Sequence, residues 1–126
     1  MVLVVGGKSQ GKTKFAKDMF PEFDVLDRPS LPELISCEKE IIWDGFNHTI
    51  RNLLEDNSDE EIASQVQEVI SKKSLVIVSD EIGNGIVPLE MVERRYRDLC
   101  GKLLIKVASE SDEVYRVICG IGQKIK

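Results

Sequence analysis

This 126-residue chain contains only one histidine and three cysteines, and both scarcities narrow the chemistry open to it. Cys37, Cys100 and Cys119 are odd in number and lack metal-ligand spacing. That excludes a disulfide framework or a zinc module and predicts reduced thiols that pack as small apolar residues. The lone histidine, His48, fits a surface or hydrogen-bonded imidazole better than a nucleophile. No apolar run approaches the roughly 20 residues of a membrane helix, and Met1 to Val5 is too short for a signal-peptide core. A cytoplasmic protein without a membrane partner is expected. Cations are in deficit, with 17 Lys and Arg against 22 Asp and Glu for a net charge of −5, which argues against nucleic acid as the partner. Repeats, linkers and low-complexity segments are absent as well, so residues 1–126 are expected to form a single domain with a real core.

What the chain does have is concentrated at its start. Gly6-Gly7-Lys8-Ser9-Gln10-Gly11-Lys12-Thr13 fits the phosphate-loop pattern G-x-x-x-x-G-K-[ST] and follows directly on the apolar run Val2-Leu3-Val4-Val5. In such a loop the glycines let backbone N–H groups turn inward around phosphates. Lys12 supplies a point charge toward the β- and γ-phosphates, and the Thr13 hydroxyl is placed to ligate Mg²⁺. Thr13 to Phe20 reads as a helix whose positive N-terminal end faces those anions. The expected ligand is a nucleoside triphosphate, ATP or GTP.

Further along, Phe23 to Leu26 reads as a short strand, and Arg28-Pro29-Ser30-Leu31-Pro32 as a turn or irregular connection because both prolines restrict the backbone. Ile41-Ile42-Trp43 is an apolar run ending in Asp44, and the spacing of Phe46, Ile50, Leu53 and Leu54 predicts a helix after it. Ser58 with Glu61 makes a capping box that opens a helix through Ile62, Val66, Val69 and Ile70. Leu75 to Val78 has the continuous apolar character of a parallel strand covered on both faces, and it delivers Ser79-Asp80-Glu81 to its end. A long amphipathic helix is predicted from Pro88, with Val92, Tyr96, Leu99, Leu103 and Val107 on one face. Asp112 to Cys119 is the last clear strand. Strands alternating with helices predict an α/β fold with a mostly parallel sheet.

Several residues compete for the chemistry. Asp44 and either Asp80 or Glu81 are candidates for the magnesium-side carboxylate or for orienting an attacking hydroxyl, and spacing alone does not choose between them. Asp44 is the preferred metal ligand, together with Thr13. His48, on the helix after Asp44, is read as a surface or hydrogen-bonded imidazole. Arg94, Arg95 and Arg97 form a basic cluster that could reach phosphates, although such a run is more often a solvated face paired with acids such as Glu90, Glu93 and Asp98. Gly83 and Gly85 suggest positive φ or a close approach to a ligand.

Several blocks together resemble the adenosylcobinamide kinase / adenosylcobinamide-phosphate guanylyltransferase family of cobalamin biosynthesis. Asp44-Gly45-Phe46-Asn47-His48-Thr49-Ile50-Arg51-Asn52-Leu53-Leu54 is similar to the family's aspartate-led segment, which carries its Walker-B acid. The block from Glu81 to Pro88, followed by Arg94-Arg95-Tyr96-Arg97-Asp98 and Gly101, resembles its most distinctive signature. Asp112-Glu113-Val114 and the run from Gly120 to Lys126 complete the likeness. The resemblance implies a RecA-like P-loop sheet, a homotrimer, phosphorylation of the corrinoid adenosylcobinamide, and guanylyl transfer from GTP through a histidine intermediate. The chain also departs from the family. The interval that holds the guanylylated histidine is shortened by several tens of residues here and contains no histidine. The usual Asn-Glu is Asp80-Glu81, and an Asn-Gln pair in the long helix is Leu104-Ile105.

The leading expectation is a P-loop kinase of the cobinamide pathway lacking guanylyl transfer. Lys12 stabilises the γ-phosphate, Thr13 and Asp44 manage Mg²⁺, and Glu81 is a candidate base. The alternative is a catalytically reduced nucleotide-binding protein that regulates or scaffolds a corrinoid-related process, and a third reading is a stand-alone NTPase.

Overall fold

The computed structural model describes residues 1–72, 74–82 and 90–126. Gly83, Gly85 and Pro88 fall outside these, and with them the expected glycine loop. The elements run β1 (Val2–Gly6), α1 (Lys12–Met19), β2 (Asp24–Asp27), α2 (Leu31–Ser36), β3 (Ile41–Asp44), α3 (Phe46–Leu53), α4 (Asp59–Ile70), β4 (Leu75–Asp80), α5 (Met91–Glu110), β5 (Glu113–Ile118) and β6 (Ile121–Lys124). They build one six-stranded sheet in the order β2-β3-β4-β1-β5-β6. All neighbours are parallel except the final antiparallel pair β5 and β6.

The central strands are apolar at consecutive positions because both sheet faces are covered. Leu3, Trp43 and Ile77 point into the larger core, with Phe46 and Ile50 of α3, Ile62 and Val66 of α4 and Leu103 of α5. Val2, Val4, Ile42, Val76 and Val78 point the other way and pack with Ala16 of α1 and Val117 of β5. The alternation of side chains along a strand thus sends each β-branched run to two cores at once. Within the larger core the thiol of Cys100 is fully buried, and burial pushes its pKa up to about 12, so it packs as an inert apolar group.

The capping box at Ser58 is present in both directions, with Glu61 N–H donating to Ser58 Oγ at 3.2 Å and Ser58 N–H donating to Glu61 Oε1 at 3.2 Å. Three other expectations need correction. The proline-bounded stretch is not wholly irregular, since Ser30 caps helix α2 by accepting from Glu33 N–H, with Pro32 in the first turn. A proline there removes no helical hydrogen bond, because the first N–H groups have no intrahelical partner. The chain after Cys119 makes a further strand, β6, through a tight turn in which Cys119 and Gly120 both have positive φ, 50° and 77°. Two such residues suit a hairpin of right-handed twist. Cys119 is therefore exposed at a turn and not packed in the core.

The basic cluster also resolves structurally at Arg95. Its Nε donates to Asp59 Oδ1 at 2.8 Å, and its terminal nitrogens donate to the carbonyls of Leu54 and Asn57. Arg95 thereby pins α5 to the α3–α4 connection and is turned away from phosphate chemistry. Glu93 pairs with Arg51 of α3, whose guanidinium also lies 5.0 Å over the Tyr96 ring.

Candidate nucleotide site

Parallel strands that end at one edge leave their following loops together, and polar residues gather there. Here β1 is followed by the loop that leads into α1, β4 ends in Ser79-Asp80, β3 ends in Asp44-Gly45, and β2 ends in Asp27-Arg28. A cavity of about 260 Å³ runs along this edge, lined by the loop from Lys8 to Lys14 and by Asp27, Arg28, Asp44, Gly45, Asn47, His48, Ser79 and Asp80 among others.

The loop is shaped by its own residues. Gly11 stands just before α1 at φ 87°, a conformation that costs a side-chain-bearing residue steric strain. The β5–β6 turn fastens the loop from behind. Gly120 N–H donates to Gln10 O at 2.7 Å and Cys119 N–H to Gln10 Oε1 at 2.8 Å. Gln10 thus serves as a strut between loop and hairpin, a role its motif position does not reveal.

Lys12 is buried, with its ammonium donating to Gly7 O at 2.7 Å and lying 2.8 Å from Asp80 Oδ1. Asp80 is itself held by Asn47, whose Nδ2 donates to Asp80 Oδ2 at 3.2 Å while its Oδ1 accepts from Asp80 N–H at 3.2 Å. His48 Nε2 lies 3.7 Å from the same carboxylate. Burial alone would raise the Asp80 pKa, but hydrogen bonding and attraction from Lys12, with help from Asn47 and His48, hold it below the usual carboxylate value. Asn47 is 3% exposed and is the residue that motif reading missed. Its signal was a polar side chain in the first turn of a helix that begins just after a strand-end aspartate.

On the other side of Lys12, Thr13 Oγ1 donates to Asp44 Oδ2 at 2.9 Å. The structure therefore brings together Lys12, Thr13, Asp44 and Asp80. It does not bring Glu81 into the cavity. Glu81 receives Arg116 Nε at 2.6 Å and Nη2 at 3.3 Å, and its own N–H donates to Gly6 O at 2.9 Å. Of the two adjacent acids, Asp80 faces the site and Glu81 faces the β5 side.

A phosphate loop with a carboxylate opposite its threonine narrows the chain to P-loop proteins, and comparison with known sequences narrows it further. The family model described as CobU, cobinamide kinase / cobinamide phosphate guanyltransferase, matches residues 20–125. The chain belongs to the CobU family. The match begins after the phosphate loop, so loop geometry and family membership are separate observations. Among curated relatives, the "Bifunctional adenosylcobalamin biosynthesis protein CobU" of Salmonella typhimurium is 44% identical over 52 residues, covering 41% of this chain and 29% of the relative. The protein of the same description from Escherichia coli is 34% identical over 73 residues, covering 54% of this chain and 40% of the relative. The chain thus matches well under half the length of these curated relatives. Both are described as bifunctional proteins of adenosylcobalamin biosynthesis, and the RecA-like α/β expectation agrees with the six-stranded sheet. Among the described residues, no helix is long and apolar enough to cross a membrane.

Proposed function

We propose that this chain is a nucleotide-binding kinase of cobalamin biosynthesis that transfers the γ-phosphate of ATP or GTP to adenosylcobinamide without guanylyl transfer. The observation that carries the proposal is the cluster in which the buried Lys12 ammonium and the Thr13–Asp44 pair converge on one cavity behind a glycine-shaped loop. The acceptor hydroxyl oxygen forms a bond to the γ-phosphorus as the bond from that phosphorus to the β,γ-bridging oxygen breaks. The nucleoside diphosphate leaves with the electron pair, and the hydroxyl proton passes to water. Little covalent work is asked of the protein, so positioning and charge neutralisation dominate.

Lys12 meets the phosphate oxygens once they displace Gly7 O and Asp80 as its partners. Asp80 and Asn47 keep the ammonium aimed into the cavity meanwhile, which makes them positioning residues. Thr13 and Asp44 supply two hard oxygens 2.9 Å apart from different elements, a donor set that suits Mg²⁺, since this cation keeps several waters and completes its shell with phosphate oxygens. When bound there, the ion neutralises charge on the β- and γ-oxygens. With Glu81 engaged by Arg116 and outside the cavity, the hydroxyl proton is given no protein base in this scheme.

The decisive assay incubates the protein with Mg²⁺, labelled ATP or GTP, and adenosylcobinamide. A phosphorylated corrinoid is expected, and hydrolysis without transfer would favour a stand-alone NTPase. Asp44→Asn should weaken the magnesium dependence of nucleotide binding more than binding without metal, because it removes one carboxylate charge from a hard cation's shell. A silent Asp44→Asn beside an impaired Asp80→Asn would exchange the roles of the two acids.

The guanylyl step gives a prediction of absence. A phosphoramidate needs an imidazole aligned on the α-phosphate, and the one histidine, His48, points toward Asp80 at the Lys12 end of the cavity. Incubation with α-labelled GTP should leave no acid-labile GMP on the protein. Retained label that disappears in His48→Ala would restore the bifunctional assignment. The trimer and the corrinoid partner stay within the same proposal, as properties that family membership suggests.

A further inference from the structure

Arg28 belongs to none of the motifs, yet it forms one wall of the cavity. It follows β2 directly, and its N–H donates to Asp44 O at 2.8 Å, so its backbone is tied to the metal-side aspartate. Its φ is 49°, the left-handed region that arginine rarely occupies, and such strain concentrates at functional positions. Gly45, immediately after Asp44, has φ 77°, and a Cβ placed there would come within 2.9 Å of Arg28 Cγ. The stem of Arg28 therefore lies across Gly45, at the cavity wall shared with Asp44 and His48.

The guanidinium is underused. Arg51, Arg95 and Arg116 each hold a carboxylate through hydrogen bonds. Among the described residues the carboxylate nearest Arg28 is its own neighbour Asp27, with Nε 4.0 Å from Oδ1, the outer limit of an ion pair. The Arg28 side chain is 58% exposed. Most of its planar fork of donors is left for a ligand, and that fork matches phosphate oxygens.

Position along the sheet edge says which phosphate. The order is phosphate loop after β1, Asp80 after β4, Asp44 after β3 and Arg28 after β2. Lys12 and the Thr13–Asp44 pair mark the β/γ end of a bound nucleotide, and Arg28 stands beyond them at the same cavity, one strand past Asp44. We propose that Arg28 is a catalytic residue that contacts the γ-phosphoryl group as it passes to the acceptor. This assignment rests on the kinase reading above. In the transfer described there, two Arg28 N–H groups hold equatorial oxygens of that phosphorus while the bond to the bridging oxygen breaks, and they remain on the phosphate monoester formed.

The test compares Mg²⁺-dependent binding of the β,γ-imido triphosphates of adenosine and guanosine with binding of ADP and GDP, by calorimetry, in wild-type protein, Arg28→Gln and Arg28→Lys. Arg28→Gln should weaken triphosphate binding roughly tenfold or more, as expected for loss of a charge-assisted hydrogen bond, and leave diphosphate binding within about twofold. Arg28→Lys should recover part of the loss while its melting temperature stays at the wild-type value. Equal losses for tri- and diphosphates, or no loss for either, would overturn the Arg28 assignment and leave the kinase reading standing. Wild-type protein that binds neither nucleotide would overturn both.

Discussion

Lys12→Ala is expected to abolish tight triphosphate binding while leaving the protein folded. The ammonium can donate to oxygens of two phosphates, and hydrogen bonds to charged groups contribute about 1.5–3 kcal/mol each, so the loss is roughly 3–6 kcal/mol, or some two to four powers of ten in affinity. The fold should survive because the Lys12 ammonium is bonded to Gly7 O and Asp80 at the cavity and Lys12 is not a member of either apolar cluster. One folding consequence has a definite sign. The folded-state pKa of Asp80 is depressed, so its contribution to stability is present above the unfolded carboxylate value and is lost as pH falls through the folded value. Removing Lys12 removes the chief cause of the depression. The wild-type protein should therefore be somewhat more stable than Lys12→Ala near neutrality, and the gap should close in strong acid. Calorimetric affinity together with melting curves at both pH values would check this, and unchanged nucleotide affinity would sink the phosphate-loop assignment.

How much of this was legible in the sequence follows from where the signals lie. Continuous apolar runs gave β1, β3 and β4, because strands buried on both faces carry no alternation to misread. The phosphate loop was legible because each letter has a local job. Helix α2 was hidden because proline breaks a helix at most positions, although Ser30 and Glu33 supply the cap and the acidic first turn around it. β6 was hidden because its residues are mostly exposed and half polar, so no hydrophobic period marks them. Choosing between Asp80 and Glu81 was beyond the sequence, since adjacent residues at a strand end point to opposite sides and only the packed neighbours, Lys12 and Arg116, decide which is which. Asn47 and Arg28 act through partners 33 and 16 positions away, Asp80 and Asp44, and a distance of that kind has no local signature.

Trp43→Ala should cost more stability than any substitution in the nucleotide loop. The indole has 0% exposure in the larger core, packs with Phe46 at 4.9 Å between ring centroids, and donates from Nε1 to Thr49 Oγ1 at 3.2 Å. Thr49 in turn donates to Pro29 O at 2.9 Å, so the ring anchors both the start of α3 and the chain just after Arg28. Truncation removes the transfer free energy of the ring, opens a cavity and leaves a buried hydroxyl short of one donor. Large aromatic-to-alanine changes of this kind cost about 3–5 kcal/mol, against a total of about 5–15 kcal/mol for an ordinary domain. Trp43→Phe keeps most of the volume and loses the hydrogen bond, so it should cost markedly less. Because Trp43 directly precedes Asp44, the damage should also reach the site. In Trp43→Ala, Mg²⁺-dependent nucleotide affinity should fall even at temperatures where the protein remains folded, whereas metal-free binding, which depends on Lys12 and the loop, should fall less. Urea titration and calorimetry would measure the two effects. A variant that loses under about 1 kcal/mol would show that the core beneath β3 repacks freely and that the tryptophan does not hold Asp44 in place.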